Sequence, residues 1–522
     1  MERIEVSWVM KVGFTILLFL LLLFVSNFSR ISNGVSLPST TNSEEAVTDI
    51  SQSKSSDIAQ RIKRVENGLL LPVIIKGQPS EPMKLADRMR FFKTPGASVV
   101  VINNGRIEWA RGYGIREVGK NEPVTTATIF QAGSISKPIA ATIALQMVQR
   151  GRLALDEDVN KKLVSWKVPE NEFTKEQKVT LRRILSHSAG FTNNSAGNYI
   201  SGAELPTLLQ ILDGLKPANT LPIRVDFVPG SRWRYSGGGY GVAQQLIIDA
   251  SGKQFPNIAQ EIIFDRLKMK HTTFEQPLRE KFHKAAAVGH SREGEKIAGN
   301  WLTFPEMAAA GMWSTPSDLA RFALELQKSK AGKSNKILST EMTKQMLTRQ
   351  IADWGIGLVV EGEGRSARFS HGGDTEGYKC LMIAYQNTGQ GAVIMTNSDR
   401  GNRFADEILR SIAKEYGWGD YQPKEKVIAA VNPQIFEAYF GQYELEISPD
   451  FVVTISAKNG NLMMTLKQPT GESNAELLPE SETRFFRRDV DFEMTFVKSD
   501  TGQATGLIIR QDGAEYRAKK IK

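Results

Sequence analysis

Three short stretches of this 522-residue chain hold residue types able to make and break bonds. The first is Ser134-Ile135-Ser136-Lys137. A serine hydroxyl is a poor nucleophile until a neighbouring group removes its proton. On a helix, residues i and i+3 share a face, roughly 5–6 Å apart at Cβ, so Lys137 can reach the Ser134 oxygen. A desolvated lysine binds its proton less tightly and becomes a usable base. The mouth of a helix adds unpaired N–H groups and positive potential, which suit a developing oxyanion. The S-x-x-K spacing is a weak signal by itself, because it recurs at Ser51–Lys54 and Ser411–Lys414. Only the middle copy follows a strand-like region and opens a helix with Pro138 in its first turn.

The second stretch runs from Pro229 to Tyr240 and holds Tyr235-Ser236-Gly237-Gly238-Gly239. A tyrosine in such a loop can present its phenol to a cleft, although a tyrosine before a glycine run is more often a packing residue. The third is Ser370-His371-Gly372-Gly373-Asp374. Glycines at a strand edge let a substrate backbone approach closely. The amide after the glycine pair can donate to an oxyanion. A histidine such as His371 is more often structural than catalytic.

These groups need elements to hold them. Ala97 to Ile102 is an apolar, β-branched run, Asn103-Asn104-Gly105 is a turn, and Arg106 to Ile115 reads as the returning strand of a hairpin. After Ser134 the apolar spacing becomes helical through Val148, and Gly151 ends that helix. Thr180 is expected to cap a helix over 181–185. Further helices are expected near 240–251, 254–267, 316–329, 339–348 and 402–416, with strands near 355–361, 366–371, 378–386 and 389–396. Strands at both ends of residues 96–416 and helices between them predict an α+β domain whose sheet is assembled from distant parts of the chain. Two prolines make 421–433 a linker, and alternating runs beyond it, such as Phe451 to Ile455 and Phe492 to Val497, predict a small antiparallel β-domain.

The formal net charge is +9, yet no Lys or Arg run exceeds two residues, so no basic stripe for nucleic acid is expected. One cysteine, Cys380, excludes an intrachain disulfide and a thiolate metal cluster, and reads as a packing residue. The five histidines stand in no metal-binding spacing, so neither metal nor cofactor is expected. Val12 to Val25 is wholly apolar but for Thr15, and Trp8 to Phe28 has one lysine and no acidic residue. Residues 1–30 therefore read as a cleaved signal peptide or an uncleaved membrane anchor through 8–28, and 31–62 as a flexible tether. Either reading exports the rest of the chain to the periplasm or cell surface.

Taken in order, Ser134-x-x-Lys137, Tyr235-Ser236-Gly237 and His371-Gly372-Gly373 resemble the S-x-x-K, Y-x-N and K-T-G motifs of serine β-lactamases and penicillin-binding proteins. The resemblance is to the branch related to class C β-lactamases. Val179 to Phe191 and Trp313 to Leu319 add to it, and it covers about residues 63–417. It implies a β-lactamase/transpeptidase-like antiparallel sheet flanked by helices with a helical subdomain. The domains are then 63–420, a serine hydrolase, and 434–522, similar to the barrel-like extension of some members. It further implies that Ser134 is acylated, that Lys137 assists proton removal and that Tyr235 is the base. The backbone N–H groups of Ser134 and Asp374 would form the oxyanion hole, with Gly237, His371, Gly372 and Gly373 on the substrate. Two departures stand out: Gly237 replaces the asparagine, and His371-Gly372 replaces lysine-threonine. A histidine is mostly neutral at pH 7, which weakens attraction to a substrate carboxylate. The expected activity is hydrolysis of an ester, a D-amino-acid amide or a β-lactam on a small-molecule or peptide substrate. The alternative is a non-catalytic receptor or envelope scaffold. A G-x-S-x-G hydrolase elbow is excluded by Ala132 and Ser136.

Overall fold

The computed structural model describes residues 56–79, 81–192, 196–446, 450–468, 471–511 and 514–522. The apolar segment 8–28 lies outside them, as does most of the expected tether. Among the described residues no helix is long and apolar enough to cross a membrane. The described chain divides into two compact units, Met83–Asp420 and a second made of 56–82 with Tyr421–Lys522.

In the first unit six antiparallel strands form one sheet: β1 (Gly96–Asn103), β2 (Arg106–Gly114), β3 (Val359–Glu361), β4 (Arg368–Thr375), β5 (Tyr378–Tyr385) and β6 (Gly391–Thr396). Their spatial order is β2-β1-β6-β5-β4-β3. The N-terminal hairpin therefore pairs with the last strand, Val100 opposite Val393 and Ile102 opposite Gly391. This is the sheet built from distant segments that the sequence led us to expect. The hairpin turn has left-handed backbone at both Asn104 and Gly105, which suits the right-handed twist of the strands.

Four helices of fourteen or fifteen residues matter for the site: α1 (Ser136–Gln149), α2 (Gly237–Ser251), α3 (Pro316–Lys330) and α4 (Gly401–Glu415). Helix α1 is buried on all sides; Ile139, Ile143 and Leu145 have no exposed surface. It runs through the middle of the helical layer rather than along it, so it lacks a polar stripe. Helix α3 packs on β1, β5 and β6, and α4 on β5 and β6. Helix α3 has a side-chain cap: Thr315 accepts from the Asp318 amide at its start, with Pro316 in the first turn.

The second unit contains a closed antiparallel barrel of eight strands from Gly441–Leu445 to Ala514–Lys520, the first pairing with the last at Tyr443 and Lys520. Its interior is filled, not hollow. Tyr439 stacks on Phe496 with ring centroids 4.1 Å apart, and Phe485 and Tyr443 meet the same ring edge-on.

Three sequence expectations need correction here. Residues 56–62 were expected in the tether but continue into a helix through 66, with Ile58, Ile62 and Val65 spaced for one face. Residues 63–82 were expected in the hydrolase domain but group with the C-terminal unit. Within 421–433, expected as linker, Lys424–Lys426 pairs in parallel with Val73–Ile75, so that segment is a strand. A parallel partner about 350 residues away leaves no mark on local sequence pattern.

Candidate active site

Ser134 sits on a single 3-10 turn, Gly133–Ile135, that leads straight into α1. Gly133 adopts a left-handed backbone, φ +51°. A Cβ there would stand 2.8 Å from the Asp374 amide nitrogen, so only glycine lets this turn meet β4 so closely. Gly373 makes the reciprocal contact: a Cβ on it would lie 2.0 Å from the Ala132 carbonyl oxygen. Two glycines thus bring the Ser134 turn and the strand carrying Asp374 into backbone contact. The Ser136 hydroxyl fixes the turn by donating to the Gly133 carbonyl at 2.7 Å and accepting from the Met312 amide at 3.0 Å.

Lys137 follows one turn on. Its Nζ donates to Ser134 Oγ at 2.9 Å and to the Ala309 carbonyl at 2.7 Å. The residue is 2% exposed, and burial brings its pKa down to about 7. Desolvation disfavours the ammonium, and among the described residues no carboxylate contacts it to offset this. An amine with this pKa is largely neutral just above pH 7 and can receive a proton from the Ser134 hydroxyl.

Tyr235 arrives from a distant loop. Its hydroxyl lies 2.8 Å from Ser134 Oγ, and Lys137 Nζ stands 4.8 Å from the centre of its ring. Burial raises the phenol well above its usual range, with the Ser134 hydrogen bond acting against that shift. The phenol is therefore protonated at neutral pH and donates.

His187 positions the ring. It stacks on Tyr235 with centroids 4.3 Å apart and planes 27° from parallel. Its Nδ1 accepts from the Ser236 amide at 3.1 Å, and its carbonyl accepts from the Arg234 amide at 2.8 Å. His187 has φ +61°, uncommon for a residue with a Cβ, and this turns the ring towards the tyrosine. Trp354 closes the other side, edge-on to His187 at 4.7 Å and to His371 at 5.5 Å.

His371 and Gly372 lie on β4 beside this cluster. The His371 Nδ1 meets the Gly372 carbonyl at 2.6 Å, and its Nε2 has no partner among the described residues. Burial, then the charge on Lys137, hold its pKa down at about 3, so the ring is neutral. A Cβ on Gly372 would meet nothing nearer than 3.9 Å, which leaves open space beside that residue. The Asp374 carboxylate is held by Lys379 at 2.5 Å, and Lys379 also bonds Asp399 at 2.9 Å, which secures the β4–β5 turn. Gly237 is the first residue of α2, whose start is capped by the Ser236 hydroxyl accepting from the Gly239 amide at 3.0 Å.

All eight residues singled out from the sequence thus lie on three adjoining segments, and Ser134, Lys137 and Tyr235 are in direct contact. Sequence reading missed Gly133, His187 and Trp354. His187 lies inside the stretch Val179–Phe191 that was noticed as a resemblance, which was the available signal. Cys380 is buried in the core, and its Sγ is 3.4 Å from the Gln131 carbonyl. Among the described residues no group of three or more His, Cys, Asp or Glu side chains is placed to hold a metal.

The family profile described as Beta-lactamase matches residues 85–416, well over half of the chain, and the chain belongs to that family. A second profile, a domain of unknown function (DUF3471), matches 425–520, the barrel region. A penicillin-binding protein of Bacillus subtilis is 24% identical over 448 residues, 81% of this chain and 95% of that protein. Among solved structures, the octameric penicillin-binding protein homologue from Pyrococcus abyssi aligns with a TM-score of 0.56 at 20% identity, over 83% of this chain and 98% of its own. A D-amino acid amidase from Ochrobactrum anthropi aligns at 0.52 and 21% identity, over 63% and 97%. At these identities the structural matches establish the β-lactamase/transpeptidase fold of the sheet-and-helix unit.

Proposed function

We propose that this protein is an exported serine hydrolase that turns over through an acyl-enzyme on Ser134. One observation carries the reading: a buried amine one turn along the same helix and a buried phenol from a distant loop both lie within hydrogen-bond distance of the Ser134 hydroxyl oxygen. An amine with its pKa near 7 and a phenol kept protonated divide the labour. Neutral Lys137 takes the Ser134 proton as Oγ attacks the substrate carbonyl. The oxyanion is met by the backbone N–H groups of Ser134 and Asp374, whose turn and strand touch through Gly133 and Gly373. The proton on Lys137 passes through the Tyr235 hydroxyl to the leaving group as the carbon–heteroatom bond breaks. Water then attacks the ester on Ser134 by the same route in reverse and frees the acid.

The substrate class is an ester, a D-amino-acid amide or a β-lactam. The penicillin-binding relatives and the amidase neighbour favour amides and lactams, whereas Gly237 and His371 in place of asparagine and lysine favour esters and amides without a free carboxylate. Export rests on the apolar stretch within 8–28. The deciding experiment treats wild type and Ser134→Ala with a fluorescent fluorophosphonate, then with nitrocefin, p-nitrophenyl esters and D-alanyl peptides. Labelling and hydrolysis by wild type alone support the reading. An unlabelled, inactive wild type supports the non-catalytic receptor, for which the altered second and third motifs speak. Cell fractionation with N-terminal sequencing tests export and distinguishes anchor from cleaved signal.

A further inference from the structure

Asp374, whose amide the acyl-serine reading gives to the oxyanion, sits where β4 has a partner on one side only. On one edge β4 pairs with β3 at Arg368, Phe369 and Ser370 and no further. From His371 onward its sheet partner is β5 alone, and the two strands join through Glu376-Gly377 just beyond Thr375. A strand end beside a turn, with one edge unpaired, is held by fewer bonds than the middle of a sheet. Keeping the Asp374 N–H aimed at a developing oxyanion therefore calls for an anchor besides strand pairing.

Lys379 is placed to be that anchor. It stands directly opposite Asp374 in the register, so the two side chains share a face of the sheet. The buried ammonium donates to Asp374 Oδ1 at 2.5 Å, to Asp399 Oδ1 at 2.9 Å and to the Thr375 carbonyl at 3.1 Å. Three hydrogens meet three acceptors, and none is left for a ligand. Asp399 lies between β6 and α4, outside the hairpin. Its Oδ1 also accepts from the Gly377 amide at 2.9 Å, and its own amide donates to the His290 carbonyl at 3.0 Å. The tip of the turn is thus tied to Asp399 directly, whereas Asp374 is tied to it through the lysine. Two carboxylates that share one cation repel each other once it is removed.

We propose that Lys379 is a positioning residue for the oxyanion site: by clamping the Asp374 carboxylate to Asp399, it fixes the aim of the Asp374 backbone N–H. The inference rests on the acyl-serine reading and extends it to a side chain whose hydrogens are all taken by the fold.

The test compares p-nitrophenyl acetate with p-nitrophenyl thionoacetate, in which sulfur, a weaker hydrogen-bond acceptor, replaces the carbonyl oxygen. Wild-type full chain is set beside Lys379→Met, Asp374→Ala and the double variant. Asp374→Ala keeps the amide and breaks the same link from its other end, and it decides the matter if Lys379→Met does not fold. Either single change is expected to lower kcat/KM for the acetate by about 10–100-fold, short of the about 10²–10³ for outright loss of a donor. The thionoester is expected to lose much less, so that the preference for oxygen over sulfur falls. A loss of folded protein alone would lower both rates equally and leave that preference intact. The double variant is expected to be no worse than the worse single one, because both changes break one link. A wild-type preference for oxygen retained in a folded variant, or losses that multiply in the double variant, would overturn the inference. Wild type that turns over neither ester and takes up no fluorophosphonate sinks the hydrolase reading itself, whereas active wild type with an unmoved preference in the variants sinks this inference alone.

Discussion

Lys137 Nζ lies 2.9 Å from Ser134 Oγ and 2.7 Å from the Ala309 carbonyl, in a residue only 2% exposed. The two contacts hold the amine against the nucleophile while burial strips it of water. With its pKa near 7, the base is half neutral at physiological pH. Log kcat/KM for an activated ester is therefore expected to climb with unit slope below about pH 7 and to level off above it. His187 and His371 are both held below the usual histidine range and add no second limb there. Lys137→Ala is expected to lose at least about 10²-fold, the lower end for a general base. A profile that stays flat from pH 5.5 to 8.5 would remove Lys137 from this role.

Tyr235 touches Ser134 through one atom and His187 through its whole ring. Tyr235→Phe keeps the stack and removes the hydroxyl. We expect kcat to fall by about 10²-fold or more with the thermal midpoint nearly unchanged, since the phenol is assigned proton transfer and not packing. Parallel loss of activity and of folded structure in this variant would assign the tyrosine a structural part instead.

The three chemical motifs were legible because each depends on residue type and short spacing: a hydroxyl and an amine one turn apart, a tyrosine before a glycine run, a histidine before two glycines. The hairpin at Asn104-Gly105 and the alternating runs of the barrel were legible for the same reason, since turn chemistry and period-two patterns are local. What the sequence concealed depends on contact across the fold. Gly133 is one of many glycines until the Asp374 amide is seen against it. Nothing around Trp354 announces that it seals two histidines. The helix that includes 56–62 was hidden by the serine-rich stretch before it, which drew attention away from Ile58, Ile62 and Val65.

His371 takes the place where the resembled pattern has lysine, and it is neutral and buried. No ammonium or guanidinium at that position attracts a substrate carboxylate. His371→Lys is expected to raise kcat/KM for substrates with a free carboxylate, such as D-alanyl-D-alanine peptides, relative to their amidated forms. About tenfold is the scale, corresponding to about 1.4 kcal/mol of added attraction. An unchanged ratio of the two substrates, in a variant that still labels with fluorophosphonate, would show that the carboxylate is read elsewhere.

Gly373 permits the backbone contact on which the proposed oxyanion hole depends, because a Cβ there would stand 2.0 Å from the Ala132 carbonyl. Neither atom is the end of a flexible side chain, so strand β4 must move away from the Ser134 turn to admit a methyl group. Gly373→Ala is expected to cost about 1–3 kcal/mol of stability, as other overpacked sites do. It is also expected to reduce acylation by about 10²-fold or more, the effect of losing one oxyanion donor. Gly372→Ala is the control for stability, with open space to 3.9 Å. Equal losses of stability from the two alanines, by calorimetry, would contradict the account.

Burying the base should cost the fold something, and the sign of that cost is testable. In the unfolded chain the lysine pKa is about 10.4, whereas in the folded protein it is about 7. Between those values the unfolded state holds a proton that the folded state does not. Stability from this group is therefore full above the unfolded value and is lost as pH falls towards 7, by at most about 1.4 kcal/mol per pH unit. Below 7 both states are protonated and the slope vanishes. Lys137→Met fills similar space without a charge but leaves the Ala309 carbonyl without its donor, a penalty independent of pH. The difference in thermal midpoint, variant minus wild type, is thus expected to increase steadily from pH 10 to 7 and then flatten. A difference that stays constant over that range would mean that Lys137 keeps its ordinary affinity for the proton, and the catalytic use made of it above would fail with it.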